Sequence, residues 1–257
     1  MRLPDVQLAP LTETERRWFI ALLVGLIAVA WLLLLLPGVR EAADHGRLFE
    51  GQSLRAALPR LLPFVAVWTL MMWAMMLPST LNTQEAVVRI AQRHGIGAWA
   101  PVLFSAGYLA VWSCFGIVAF VGDYGLHSLV EASGYLRRHE GLIAGGVVLL
   151  AGAYQFTPLK DACLKSCRSP LAFVLSRKRD GLSGLVLMGA DHGLFCLGCC
   201  WALMLLMLAL AAASLVLMVV MAIYFFVEKV VKNSEPVGRV TGLVLLSAGA
   251  ALLVSAF

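Results

Sequence analysis

From Leu182 to Val227 the chain runs for 46 residues with one charged side chain, Asp191. As a single helix this stretch would be roughly 70 Å long, more than twice the ~30 Å hydrocarbon core of a bilayer. It therefore has to fold back on itself. The break falls most naturally at the Ala-Ala-Ala-Ser run 211–214, although no glycine or proline marks it. Similar apolar runs recur along the rest of the chain. With 61% hydrophobic and 14% charged residues, the composition lies far from that of a soluble domain. The reading is an all-α, polytopic transmembrane helical bundle of about seven spans. It forms one integral membrane domain over 1–257, with spans near 17–37, 61–79, 98–121, 141–157, 183–210, 213–231 and 238–256. The first run, Trp18 to Leu36, is long enough to span and lacks a small-residue cleavage pattern, so it reads as a span and not as a secretory signal. Gly145, Gly146 and Gly152 in the fourth span point to close helix contacts.

Charge sets the expected orientation. Lys and Arg number fourteen in the N-terminal segment and the alternate loops that share its face, against six on the other face. The positive-inside rule then puts the N-terminus in the cytoplasm. The loop 158–181 anchors this with Lys160, Lys165, Arg168, Arg177, Lys178 and Arg179. A net charge of +5 suits loops that face anionic lipid headgroups, and no basic-aromatic stretch fits nucleic acid. The absence of a phosphate-binding glycine loop excludes an ATP-driven pump of the usual kind. No acidic relay beyond Asp191 is embedded in the spans.

Within the fifth span the string GADHGLFCLGCCWALM, 189–204, places an aspartate, a histidine and three cysteines where lipid makes polar groups expensive. Successive helical residues turn by about 100°. Taking His192 as zero, Cys196 falls near 40°, Cys199 near −20° and Cys200 near 80°, roughly on one face with Met188 and Met207; Asp191 lies about 100° away. Thiolate, thioether and imidazole form a ligand set for soft or borderline ions, Cu(I) first and Zn(II) second. Packing is the bland alternative for any single cysteine, and thiol redox chemistry is the third.

The second span adds Met71, Met72, Met75 and Met76 in a doubled i, i+4 ladder. Thioethers favour copper over zinc, while methionine also fills irregular core gaps. By helical rise, Met71 and Met72 lie ~15 Å into their span, and His192 lies ~15 Å into its own. Cys114, in the third span, comes out level with Cys196 to Cys199, so three spans could share one soft-donor site. A further string, YQFTPLKDACLKSCRSP at 154–170, puts Cys163 and Cys167 at i, i+4 on an expected interfacial helix among Lys160, Lys165 and Arg168. Cationic neighbours favour the thiolate, so this loop could pass metal in or out, or its cations could simply anchor it to headgroups. Asp123, His127, Glu131, His139 and Glu140 fall in the expected outer loop 122–140, and Glu228 and Lys229 close the sixth span at the expected inner interface.

MMWAMMLP (71–78), YQFTPLKDACLKSCRSP (154–170) and HGLFCLGCCWALM (192–204) resemble a bacterial family of predicted metal-binding integral membrane proteins. The spacing Gly107-Tyr108 to Val111-Trp112 and the pair Glu228-Lys229 fit as well. The resemblance runs from about residue 60 to 230. It implies a multi-pass protein of the bacterial inner membrane with a metal-related role, carried by the four methionines, Cys163, Cys167, Cys196, Cys199 and Cys200. Together the readings describe a non-enzymatic membrane protein that binds Cu(I), with zinc as the alternative, for transport or for delivery to or from a partner protein. Its surroundings are lipid, nucleic acid is not a partner, and the sequence leaves the oligomeric state open. The rival readings are a membrane thiol-redox enzyme using a cysteine pair and a structural subunit of a larger complex.

Overall fold

The computed structural model describes residues 12–39, 54–92, 95–177, 179, 181–209, 214–231 and 234–256, and among them helix is the only regular element. The principal helices are α1 (Glu13–Leu34), α2 (Leu61–Met76), α3 (Leu81–Gln92), α4 (Ala100–Ala132), α5 (Glu140–Tyr154), α6 (Pro158–Arg168), α7 (Pro170–Ser176), α8 (Gly181–Ala209), α9 (Leu215–Val230) and α10 (Glu235–Ser255). Each expected span coincides with a helix, but they differ in reach. Five stretches are long and apolar enough to cross a membrane: Arg16–Leu34, Arg55–Gln92, Ala100–Ala132, Gly181–Leu208 and Glu235–Ser255. A sixth, Gly141–Tyr154 with Pro158–Arg168, is bent by 63°. With 16 residues, α9 is only ~24 Å long.

Two helices outrun the expected boundaries. Pro78 does not stop the second one; the chain tightens into a 3-10 turn at Leu77–Thr80 and continues into α3. Ser79 and Thr80 hydroxyls donate back to the carbonyls of Met76 and Leu77 at 2.7 and 2.8 Å, which secures that turn. The third, α4, continues to Ala132, so Asp123, His127 and Glu131 ride on its final turns and not on a loop. The expected fold-back at 211–214 falls, except for Ser214, outside the described residues; Ser214 caps α9 by accepting from the Leu217 amide.

The centre of the bundle is α8, which packs against α4, α5 and α6. Its contact with α4 is close enough that glycine is required. A Cβ on Gly107 would stand 1.9 Å from the Val186 carbonyl oxygen, and one on Gly189 would stand 2.0 Å from that of Phe104. Gly189 and Gly193 are four apart on one face, the small-residue spacing that lets helix backbones touch. The contact between α5 and α10 uses the same device at Gly145 and Gly152, whereas Gly146 faces open space.

The 63° bend after α5 decides where the site forms. Thr157 leaves helical geometry and caps α6 by accepting from the Lys160 amide, with Pro158 at the first helical position. Thus α6 turns inward against α8 instead of lying flat at an interface, and it buries Lys160, Cys163, Leu164 and Cys167.

Candidate metal centre

Facing α8, α6 brings a second set of thiols to the first. Cys167, Cys196 and Cys200 all lie within electrostatic reach of the Cys199 thiol. Cys199 and Cys200 donate to the Cys196 carbonyl at 3.1 and 2.8 Å, as thiols on a helix do when one turn above their acceptor. Cys163 sits one turn earlier on α6, its sulfur seated in the notch at Gly198, where a Cβ would come within 2.6 Å of it. The Tyr154 hydroxyl donates to the Gly198 carbonyl, which fixes the end of α5 on this notch. All five of these cysteines are buried and none is in a disulfide.

The chamber is completed from α2, α4 and α9. Tyr108 of α4 places its hydroxyl 3.0 Å from the Cys196 sulfur. Lys229, in the last turn of α9, donates to the same sulfur at 2.9 Å and to the Met76 thioether at 3.5 Å. Met71, Met72 and Met75 are buried in the same apolar core, so the ladder forms one wall of the bundle and presents Met76 at its inner end. Its chemistry is four thiols, one thioether and one phenol around an ammonium.

Several expected donors lie elsewhere. His192 is buried 5.0 to 5.9 Å, ring to ring, from Phe173, Phe104 and Tyr108, and its Nδ1 has no hydrogen-bond partner. Met188 belongs to the same separate apolar cluster as Phe104 and Phe173. The stripe read from the helical wheel is real as a face, but from 188 to 200 it covers ~18 Å of axis, too long for one ion. Tyr108 links its two parts, with its ring 5.9 Å from the His192 ring and its hydroxyl 3.0 Å from the Cys196 sulfur. Asp191 turns the other way and pairs with Arg179 at 3.0 Å and Arg177 at 3.5 Å. Cys114 is exposed on the outside of α4, so the third helix contributes Tyr108 to the chamber and not its cysteine.

Glu228 and Lys229, expected at the inner interface, are both buried within the bundle. So is Lys160. Its ammonium pairs with Glu228 at 2.5 Å and donates to Gln155, and the Tyr224 hydroxyl also donates to Glu228 at 2.8 Å. Arg168 extends this network, donating to the Glu228 carbonyl at 2.9 Å and to Ser234. The sequence carried a signal for this pair, because ionisable residues at the close of a 46-residue apolar run need partners. It did not say which partners.

Among the described residues no three His, Cys, Asp or Glu side chains converge to enclose a metal ion as they stand. The sulfur-rich set around Cys196 nevertheless fits a soft monovalent ion, which binds thiolate and thioether and needs neither carboxylate nor a closed tetrahedral shell. Comparison with known families agrees. A family model described as PpoB2, copper chaperone, matches residues 65–252, from α2 to near the end of α10. The chain belongs to the PpoB2 copper chaperone family. The match to PpoB2 includes every thiol and thioether of the chamber together with Tyr108 and Lys229, and it extends past residue 230, where the sequence resemblance ended. Neither the curated proteins nor the solved structures gave a match.

Proposed function

We propose that the protein is a multi-pass copper chaperone of the bacterial inner membrane, with its N-terminus in the cytoplasm, that holds Cu(I) in transit to or from a partner protein. The observation that carries this is the sulfur chamber itself: Cys167, Cys196, Cys199 and Cys200 clustered with Met76, buried between α6, α8, α2 and α9. Thioether among thiols selects Cu(I) over zinc, and the copper family supports the same choice. Placement in a membrane is supported by apolar side chains that no described part of the chain covers, among them Leu22 and Leu32 on α1, Val216 and Ile223 on α9, and Leu243 and Val244 on α10.

Exchange between sulfur ligands is the chemistry this chamber supports. Cys163, one turn from Cys167 on α6 and seated against Gly198, is the next thiol along α6. A partner offering its own thiols could take the ion there by ligand exchange. Metal analysis of the detergent-purified full chain tests the reading. About one copper per chain is expected after anaerobic Cu(I) loading, falling below ~0.1 in the Cys196→Ser, Cys199→Ser variant. Equal copper in the two proteins sinks it, and thiol trapping that finds a disulfide forming and breaking among the four cysteines would favour a redox enzyme instead.

A further inference from the structure

Lys229 is the anomaly of the chamber. It is a 5%-exposed cation whose described polar contacts are two sulfurs, and among the described residues no carboxylate forms an ion pair with it. The nearest acid in sequence, Glu228, already holds Lys160 and Tyr224. The Phe225 ring lies 5.6 Å from the ammonium, one turn back on the same helix. The charged or ionisable groups within electrostatic reach of it are the thiols of Cys167, Cys196, Cys199 and Cys200, the Tyr108 phenol and the His192 imidazole. A lysine ammonium is a compact point charge on a flexible four-carbon stem. Here it occupies the position on which the soft donors converge.

We propose that Lys229 is a tethered cation that trades places with Cu(I): the ion gains Cys196 and Met76 only as the ammonium leaves them, and the returning ammonium helps to expel the ion. This rests on the copper reading of the chamber. The geometry favours the exchange, because an ammonium 2.9 Å from Cys196 and 3.5 Å from Met76 shares the two sulfurs that a Cu(I) ion would need. Two like charges in a low-dielectric chamber on the same sulfur repel strongly. The chain also provides a place to retreat. Lys229 lies in the last turn of α9, where the negative end of the helix dipole favours a cation, beside the Glu228 carbonyl that already holds Arg168. The charge balance is simple. One monovalent cation enters as another withdraws still protonated, and any thiol that becomes a ligand releases its proton to water. For a carrier the arrangement is useful, since a competitor built into the site keeps the cargo from being held too tightly to pass on.

Competition titration of the anaerobic, detergent-purified full chain against a chromophoric Cu(I) chelator tests the exchange. Lys229→Leu is expected to tighten Cu(I) about tenfold or more, while Lys229→Arg, which keeps a cation in place, does not tighten it. Unchanged or weaker binding by Lys229→Leu overturns the exchange, because a lysine that merely supports the thiolates would give that result. A second measurement needs no variant. Acylation of Lys229 by an amine-reactive reagent, read by mass spectrometry, should rise several-fold when the wild-type protein is saturated with Cu(I) or Ag(I). Protection that does not change on saturation overturns the exchange. Failure of the wild-type protein to take up copper defeats the underlying reading and the exchange together. Copper uptake with neither effect defeats the exchange alone.

Discussion

Glu228→Gln isolates the buried charge at the root of α6. The glutamine keeps the shape of the side chain and an oxygen that still accepts from Tyr224, so little more than the negative charge is lost. What remains is the Lys160 ammonium, 2.5 Å from its former partner in a pair whose side chains are 2% and 1% exposed. Breaking a buried pair on one side costs about 3–5 kcal/mol, because the surviving charge stays desolvated. Lys160→Met alone leaves the carboxylate in the same position and should cost a similar amount. Changing both removes both charges, and the double variant should recover all but about 1–2 kcal/mol of the loss. Thermal unfolding of the detergent-purified protein, followed by circular dichroism, reads this as a fall of roughly 10 °C in each single variant and a much smaller fall in the double. The network predicts one thing more. With the pair broken, α6 loosens from α9, so alkylation of Cys163 and Cys167 should accelerate in the single variants. Single variants that fall by less than ~2 °C, or a double variant as unstable as the two singles summed, would refute the view that this pair holds α6 in the bundle.

Other expectations are simpler to check. Gly189→Ala puts a methyl into the Phe104 backbone, where no side-chain adjustment can relieve it, and should destabilise the fold by at least ~2 kcal/mol in the same melt. Gly146→Ala, facing open space, should be neutral or slightly stabilising, and separates the glycines that hold helices together from those that do not. Asp191→Asn removes a partly exposed ion pair; it should cost under ~1 kcal/mol and leave copper stoichiometry unchanged, and loss of copper would return Asp191 to the site. Cys114→Ser should bind copper as the wild type does.

Much of the fold is local and could therefore be read in advance. Apolar runs of the right length declare the helices, and Thr157-Pro158 carries both the cap and the start of α6 in two residues. The soft-donor chemistry was legible for the same reason, since a cysteine-rich turn in an apolar helix is conspicuous wherever the chain goes. What escaped depends on partners far away in sequence. The cations of α6 read as an interfacial anchor because Lys160 finds its counter-charge 68 residues later. Asp191 read as a possible ligand because two arginines before α8 turn back to meet it. A wheel gives angle and not depth, so it placed His192 on the cysteine face of α8 without showing that its ring packs among Phe104, Tyr108 and Phe173. Lys229 was visible but had no stated purpose, since nothing local reveals that its ammonium ends among sulfurs.

The separation between Lys160 and Glu228 also sets an order of events during synthesis. A ribosome adding about 5–20 residues per second needs roughly 3–14 seconds to pass from the lysine to its acid. Over that interval α6 is complete and α8 emerges with its cysteines, but the charge that seats α6 against α9 does not yet exist. The thiols of α6 and α8 are therefore made before the wall that encloses them. A nascent chain in that state leaves the cysteines open on the side α9 will cover, and the last turn of α9 brings both the latch, Glu228, and the occupant, Lys229. The chamber closes late, and it closes already filled.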